Sequence, residues 1–163
     1  MLIRRSLPML LMAGLFLAAC GQKADAPVAA EQARAGSADT AAPALPRTAA
    51  PSDARVYFVA PADGDTVSNP VRVEFGIEGM SVVKAGDDTP LSGHHHLIVD
   101  AELPDLGVPI PASDNYIHFG DGSTSTELTL APGEHTLRLL LGDHLHIPHD
   151  PPVASETITI TVK

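Results

Sequence analysis

Short segments of alternating apolar and polar residues, separated by turn residues, constrain the fold of residues 53–163 most strongly. The run Val71–Ile77 places apolar side chains at odd positions, and Glu156–Val162 repeats the alternation with isoleucine and valine. A period of two is typical of β-strands, because successive side chains point to opposite faces. We find no amphipathic helix of usable length in the sequence. About seven short strands in roughly 100 residues predict an all-β fold, an immunoglobulin-like antiparallel β-sandwich.

Residues 1–19 carry the features of a secretory signal peptide. Two arginines near the start precede an apolar run that is too short for an ordinary membrane span. The run ends in Leu-Ala-Ala before Cys20, and this ending resembles the bacterial lipobox, where cleavage exposes a cysteine that is then lipidated. We therefore predict a lipoprotein held by a lipid on Cys20 at the periplasmic face of the cell envelope. Gly21 resembles the sorting pattern of enteric bacteria that favours the outer membrane over the inner membrane.

Residues 20–52 form a predicted tether between this anchor and the domain. The segment is rich in Ala and is interrupted by four prolines. It therefore buries too little apolar surface to offset the entropy of ordering, and we expect it to be disordered. The predicted organisation is a signal at 1–19, the lipidated cysteine and tether at 20–52, and the β-domain at 53–163.

The charge of the domain restricts its partners. Residues 53–163 carry 17 acidic and five basic side chains, a net charge of about −12 with neutral histidines. Binding of nucleic acid needs a basic surface, so we predict no nucleic-acid partner. The same charge disfavours contact between the domain and anionic lipid, which leaves the lipid on Cys20 as the predicted membrane attachment. An acidic surface attracts cations.

All eight histidines fall within residues 94–149. The predicted strand Gly93–Asp100 begins with three of them, and alternation places His94 and His96 on one face. His95 then lies on the other face, with the apolar residues that belong to the core. Two imidazoles at positions i and i+2 of a strand can converge on one metal ion. The alternative is a structural role, with polar residues at the strand entrance and a buried, hydrogen-bonded His95.

A second group of histidines occupies residues 142–153, a loop that prolines stiffen. Proline reduces the entropy lost when a ligand is held. Histidine suits Cu²⁺ or Zn²⁺, whereas the shortage of Cys and Met disfavours a Cu⁺ site. Aspartates near the histidines can orient their ring N–H groups. The predicted metal ligands are His94, His96, His146 and His149, with His118 in reserve and with Asp100 and Asp143 as supporting carboxylates.

Four histidine-containing motifs resemble, in their order, the bacterial domain of unknown function family 4399. They are a GHHHL-x-x-D run, an HFG turn, a PG-x-HTL strand and a final H-x-PH-x-PPV loop. The resemblance covers nearly all of residues 53–163 and implies a secreted or lipid-anchored β-domain, without implying an activity. A Pro-Ala-Asp-Gly turn at 61–64 also resembles bacterial immunoglobulin-like adhesive and spacer domains. The residues that match the family pattern are His94, His95, His96, Asp100, His118, His135, His146 and His149.

The main functional hypothesis is a surface-tethered, non-catalytic domain that binds Cu²⁺ or Zn²⁺ through its histidines. The alternative is a spacer or partner-binding module with structural histidines, whose partner is a protein or a cell-wall glycan. That module needs an exposed apolar or aromatic patch, for which Tyr57, Tyr116 and Phe119 are the candidates. The sequence contains no serine nucleophile elbow and no phosphate-binding glycine loop, so we do not predict an enzyme.

Overall fold

The computed structural model describes residues 45–163, which contain nine β-strands and no helix. The signal, Cys20 and most of the tether lie outside these described residues, and their proposed roles stay predictions. No segment within residues 45–163 forms a helix that is long and apolar enough to cross a membrane. The strands are β1 (Arg55–Ala60), β2 (Thr66–Val67), β3 (Val71–Glu78), β4 (Ser81–Val82), β5 (Ser92–Val99), β6 (Tyr116–His118), β7 (Ser125–Leu128), β8 (Gly133–Gly142) and β9 (Ile158–Val162).

These strands form two sheets. The smaller sheet has the order β1-β3-β7 and is antiparallel. The larger sheet has the order β2-β9-β8-β5-β4, and β6 also pairs with β5. The antiparallel pairing of β5 with β8 runs from His94 opposite Gly142 to Val99 opposite Leu137. The two-residue strands β2 and β4 add short parallel pairs to β9 and β5.

The facing surfaces of the two sheets enclose the main core. Its side chains come from alternate strand positions, because only every second residue of a strand points inward. Apolar burial of this kind supplies most of the stabilisation of a sandwich. The arrangement confirms the prediction of an all-β, immunoglobulin-like sandwich. The buried core residues are Val56, Val71, Val73, Phe75, Leu97, Val99, Phe119, Leu128, Leu137, Leu139, Leu141, Val153, Ile158, Ile160 and Val162.

A second apolar cluster lies on the opposite face of the larger sheet. Ile98 of β5 and Leu140 of β8 pack there against Ile110, which belongs to the connection between β5 and β6. The backbone N–H of Ile110 donates to the carbonyl of His146 at 2.8 Å, which links this connection to the loop after β8. All eight residues of β5 are therefore buried, although one face of an antiparallel sheet is commonly solvated.

Residues 47–50 also contact the domain, although the sequence assigned them to the tether. Ala49 forms a parallel bridge with Asp150. The backbone N–H of Ala50 donates to the Asp150 carbonyl at 3.0 Å, and the Asp150 N–H donates to the Thr48 carbonyl at 2.9 Å. These contacts use backbone groups, so the composition of the segment contains no sign of them.

Candidate metal centre

His94 and His96 lie side by side on the outer face of β5, where alternation predicted them. Both are fully buried, and their Nε2 atoms are 3.1 Å apart. The Nδ1 atoms of both rings have no hydrogen-bond partner among the described residues. Both rings therefore direct Nε2 towards one common position. In most metal sites a carboxylate or carbonyl accepts the second ring N–H, whereas here the two rings hydrogen-bond each other through Nε2 and their Nδ1 atoms have no such acceptor among the described residues.

His118 and His146 complete the group. The pairing of β6 with β5 places His118 directly opposite His96. The ligand nitrogens of His94, His96 and His118 all lie within 4.8 Å of one another. The ring of His146 has its centroid 4.9 Å from that of His94 and 4.7 Å from that of His118. We call these four residues the histidine cluster; they come from β5, β6 and the loop after β8.

The spacing of His94, His96 and His118 suits three ligands of a tetrahedral ion. Zinc–nitrogen bonds of about 2.0–2.1 Å place ligand nitrogens about 3.3 Å apart, so side-chain rotations would bring these three nitrogens to bonding distance. The ring of His146 lies farther from His96, with the two centroids 6.0 Å apart. His94 and His96 are buried, His146 is half-buried and His118 is exposed. The cluster therefore has a closed end at β5 and an end at His118 that solvent reaches.

Two glycines make room for the imidazoles. A Cβ at Gly142, which lies opposite His94, would lie 3.0 Å from Nε2 of His96. A Cβ at Gly120 would lie 2.7 Å from Nε2 of His118. Sequence reasoning did not single out these glycines as part of the site. The signal that would have found them is position, because Gly142 ends β8 beside the histidine-rich loop and Gly120 follows His118 by two residues.

The buried imidazoles are neutral at neutral pH. The pKa of His94 is lowered to about 4, mainly by burial and then by the neighbouring rings of His146 and His118. Burial also lowers the pKa of His96 to about 2, with the adjacent His94 as the next cause. The pKa of His118 is lowered by its partial burial and by His146. Neutral imidazole is the form that binds a metal ion, so His94, His96 and His118 could bind one without losing protons.

Asp143 supports the cluster through the loop backbone, and not through an imidazole N–H as predicted. The carboxylate is 2% exposed, and its Oδ1 accepts the backbone N–H groups of Leu145 and Ile147, each at 2.9 Å. Between them, His146 has a φ of 68°, the left-handed conformation that costs a non-glycine residue about 1–2 kcal/mol. The hydrogen bonds to Asp143 hold this turn and thereby present the His146 ring.

The structure does not bring His149 to the cluster. Its ring is fully buried, and Nε2 lies 3.1 Å from the carbonyl oxygen of Ser92. A Cβ at Gly93 would lie 3.0 Å from the Cε1 atom of His149. Because Gly93 points to the opposite face of β5 from His94, His149 lies behind the strand. The prediction of His149 as a metal ligand is therefore corrected to a structural role.

Asp100 also lies away from the cluster. It is four residues beyond His96 on an extended chain, a distance of about 13 Å. Its carboxylate lies 2.7 Å from Nδ1 of His135 and accepts the backbone N–H of Thr136 at 2.8 Å. The hydrogen bond to Asp100 is the main cause that raises the pKa of His135. Asp100 and His135 therefore join the end of β5 to β8 as a structural pair.

His95 points into the main core, as alternation predicted. Its ring centroid is 4.8 Å from that of Phe75. Neither ring nitrogen has a hydrogen-bond partner among the described residues, so the expected hydrogen-bonded role is not found. Burial lowers the pKa of His95 to about 4. The residue is a neutral core side chain whose two ring nitrogens lack partners.

Only one of the three aromatic candidates for a partner-binding patch is exposed. Phe119 is buried in the core, with its ring 5.0 Å from that of Phe75. Tyr116 is half-buried, and its hydroxyl donates to the carbonyl of Glu102 at 2.8 Å. Tyr57 is 37% exposed and lies beneath the guanidinium of Arg55. The partner-binding alternative stays a prediction, with Tyr57 as its one exposed aromatic candidate.

Residues 73–163 match the model of the family described as Domain of unknown function (DUF4399), which is more than half of the chain. The chain belongs to this family. The match includes all four members of the histidine cluster and confirms the resemblance drawn from the sequence motifs. The segment at 47–50 lies outside the region matched to DUF4399.

Solved structures and curated proteins add little to the DUF4399 assignment. The fibronectin(III)-like modules of Clostridium thermocellum CbhA are similar at 14% identity and a TM-score of 0.32, over 66% of this chain and 93% of theirs. Nothing among the curated proteins matches this chain.

Proposed function

We propose that this domain binds a divalent transition-metal ion, Zn²⁺ or Cu²⁺, through His94, His96, His118 and His146. The observation that carries the proposal is the convergence of three ligand nitrogens within 4.8 Å. His146 supplies a fourth ring, whose centroid lies 4.9 Å from that of His94 and 4.7 Å from that of His118. An all-nitrogen site of this kind suits Zn²⁺ and Cu²⁺ better than oxygen-preferring Mg²⁺ or Ca²⁺.

The proposed role is binding without catalysis. A catalytic metal site pairs an open coordination position with a group that moves protons. Asp143 and Asp121 are carboxylates whose charges act on the cluster. Asp143 accepts hydrogen bonds from Thr48, Leu145 and Ile147. Asp121 accepts two from Ser123. Both oxygens of Asp143 and Oδ1 of Asp121 accept these bonds, and we infer that neither carboxylate serves as a general base.

A metal titration tests the proposal. Untagged protein, stripped with a chelator, is titrated with Zn²⁺ and with Cu²⁺ at about pH 7.5, where the imidazoles are neutral. We expect one ion per chain with a dissociation constant below about 10 μM, and a higher melting temperature when metal is present. Mg²⁺ serves as the control ion and should change neither quantity. Binding of both Zn²⁺ and Cu²⁺ weaker than about 10 μM would reject the proposal.

We further propose that the domain is held at the periplasmic face of the outer membrane by the lipid on Cys20. The support is the Leu-Ala-Ala-Cys ending of residues 1–20. The Cys20→Ser variant should leave the membrane fraction and appear in the soluble fraction, because no lipid can be attached. Fractionation with immunoblotting measures the distribution. A variant that stays with the membranes would contradict the anchor, and separate collection of inner and outer membranes tests the sorting.

A further inference from the structure

The segment Arg47–Ala50, here called the strap, is tied to the loop that presents His146. The Nε of Arg47 donates to the carbonyl of Pro148 at 2.9 Å, and its guanidinium also donates to the carbonyl of His149. The same side chain forms an ion pair with Asp150 at 3.3 Å. With the backbone hydrogen bonds between the strap and Asp150, these contacts hold residues 148–150, just beyond His146.

A second contact reaches the centre of the same loop. The hydroxyl of Thr48 donates to Oδ2 of Asp143 at 2.7 Å. The other oxygen of Asp143 accepts the backbone N–H groups on either side of His146, and the His146 N–H donates to the Asp143 carbonyl at 2.9 Å. Thr48 therefore fixes the orientation of the carboxylate that holds His146 in its left-handed conformation.

The geometry points to a coupling between the strap and the metal site. We propose that Thr48 is a positioning residue for His146, so that attachment of the strap and binding of the ion at the histidine cluster stabilise each other. This inference rests on the proposed metal-binding function. The coupling is reciprocal by thermodynamic necessity: if the strap strengthens metal binding, bound metal must hold the strap in place. A partner that pulled the strap away would thereby promote release of the ion.

Substitution of Thr48 in the full-length, untagged protein tests the first half of the coupling. Thr48→Val keeps the shape of the side chain and removes the hydroxyl, and we expect Zn²⁺ affinity to fall about fivefold to tenfold, the equivalent of one net hydrogen bond. Thr48→Ser restores the hydroxyl and should restore the affinity. Thr89→Val is the matched control, because Thr89 donates a similar hydrogen bond of 2.6 Å to Asp87, outside the strap. Competition with a chromogenic zinc chelator measures all four proteins.

Proteolysis tests the second half without any substitution. Trypsin cleaves after Arg47 only when the strap leaves the domain, and mass spectrometry identifies that cut. We expect Zn²⁺ to slow the cut in the wild-type protein by at least the factor of the affinity loss in Thr48→Val, because the cut needs the whole strap detached whereas the variant removes a single hydroxyl. Equal Zn²⁺ affinity of Thr48→Val and wild type, or a cut that Zn²⁺ does not slow, would overturn the coupling and leave the metal site standing. A wild-type protein that binds neither Zn²⁺ nor Cu²⁺ would overturn both proposals together.

Discussion

The His96→Ala variant is expected to lose about a hundredfold or more in Zn²⁺ affinity, whereas His149→Ala keeps the wild-type affinity. His96 lies 3.1 Å from His94 between Nε2 atoms and pairs across the strands with His118, so its removal takes a ligand from the centre of the cluster. Loss of a group that merely orients a ligand already costs about tenfold to a hundredfold in metal affinity, and loss of a ligand costs more.

Comparison of His96→Ala with His149→Ala separates the loss of a metal ligand from the loss of packing. Both histidines are fully buried and belong to neighbouring segments, so their substitution by alanine leaves cavities of similar size. His135→Ala is a further control, which removes the Asp100 contact and should cost about 1–2 kcal/mol of stability without changing affinity. Isothermal titration with Zn²⁺, together with circular dichroism to verify folding, measures these outcomes. A similar loss in His96→Ala and His149→Ala would show that affinity follows general stability and not coordination.

Acidification of the metal-free protein should destabilise it strongly between about pH 6.5 and pH 4. The folded-state pKa values of His94 and His95 are about 4, and that of His96 is about 2. In this interval the unfolded chain binds protons that the folded chain excludes, so the free energy of unfolding falls as the pH falls. Each of these histidines should lower the free energy of unfolding by about 2 kcal/mol between pH 7.5 and pH 5. The sum of the three losses is comparable to the whole free energy of unfolding of a small domain.

His135 acts in the opposite direction. Its pKa is raised by Asp100, so its contribution is fully present below the unfolded pKa of about 6.5 and is lost as the pH rises through its folded pKa. At acid pH the stabilisation by His135 therefore offsets part of the destabilisation by the three buried rings. The offset is smaller than that destabilisation, because His135 lies nearer the surface than the three rings do.

Urea unfolding at several pH values measures the effect, and His95→Leu identifies its source. Leucine has a similar size and no nitrogens to desolvate, so this variant should lose about a third of the acid destabilisation and gain stability at pH 5. An unchanged dependence on pH in His95→Leu would contradict the assignment to the buried imidazoles. The same experiment with saturating Zn²⁺ should shift the loss of stability to lower pH, because protons and the ion compete for the same nitrogens.

The face of each β5 histidine could be predicted, whereas the choice of loop histidines could not. A strand has a period of two, so the sequence alone separates His94 and His96 from His95. A loop has no period, and spacing in residues 142–153 does not reveal that the Gly142–Pro148 bridge folds His149 behind β5. For the same reason the sequence does not show that Asp143 bonds the loop backbone and Thr48 instead of an imidazole N–H.

Contacts between distant parts of the chain explain the other differences between the prediction and the structure. The sequence does not show that His118 pairs with His96. The strand β6 has only three residues, and a strand that short reveals neither its partner nor its register. The strap was assigned to the tether because Ala and Pro indicate a flexible segment. Its attachment depends on Arg47 and Thr48 meeting loop atoms about 100 residues away, a relation that no local pattern contains.

If the cluster binds an ion as proposed, its uneven exposure would give metal exchange a direction. A competing chelator or a receiving protein would approach the ion from the side of His118, while His94 and His96 would hold it from beneath. The incoming donor would then displace the outermost imidazole before the buried pair. An ion that arrived inside a bulky complex would have to lose its other ligands at the same opening. The exposed position of His118 would therefore govern the lifetime of the bound ion, whereas the buried pair would govern its affinity.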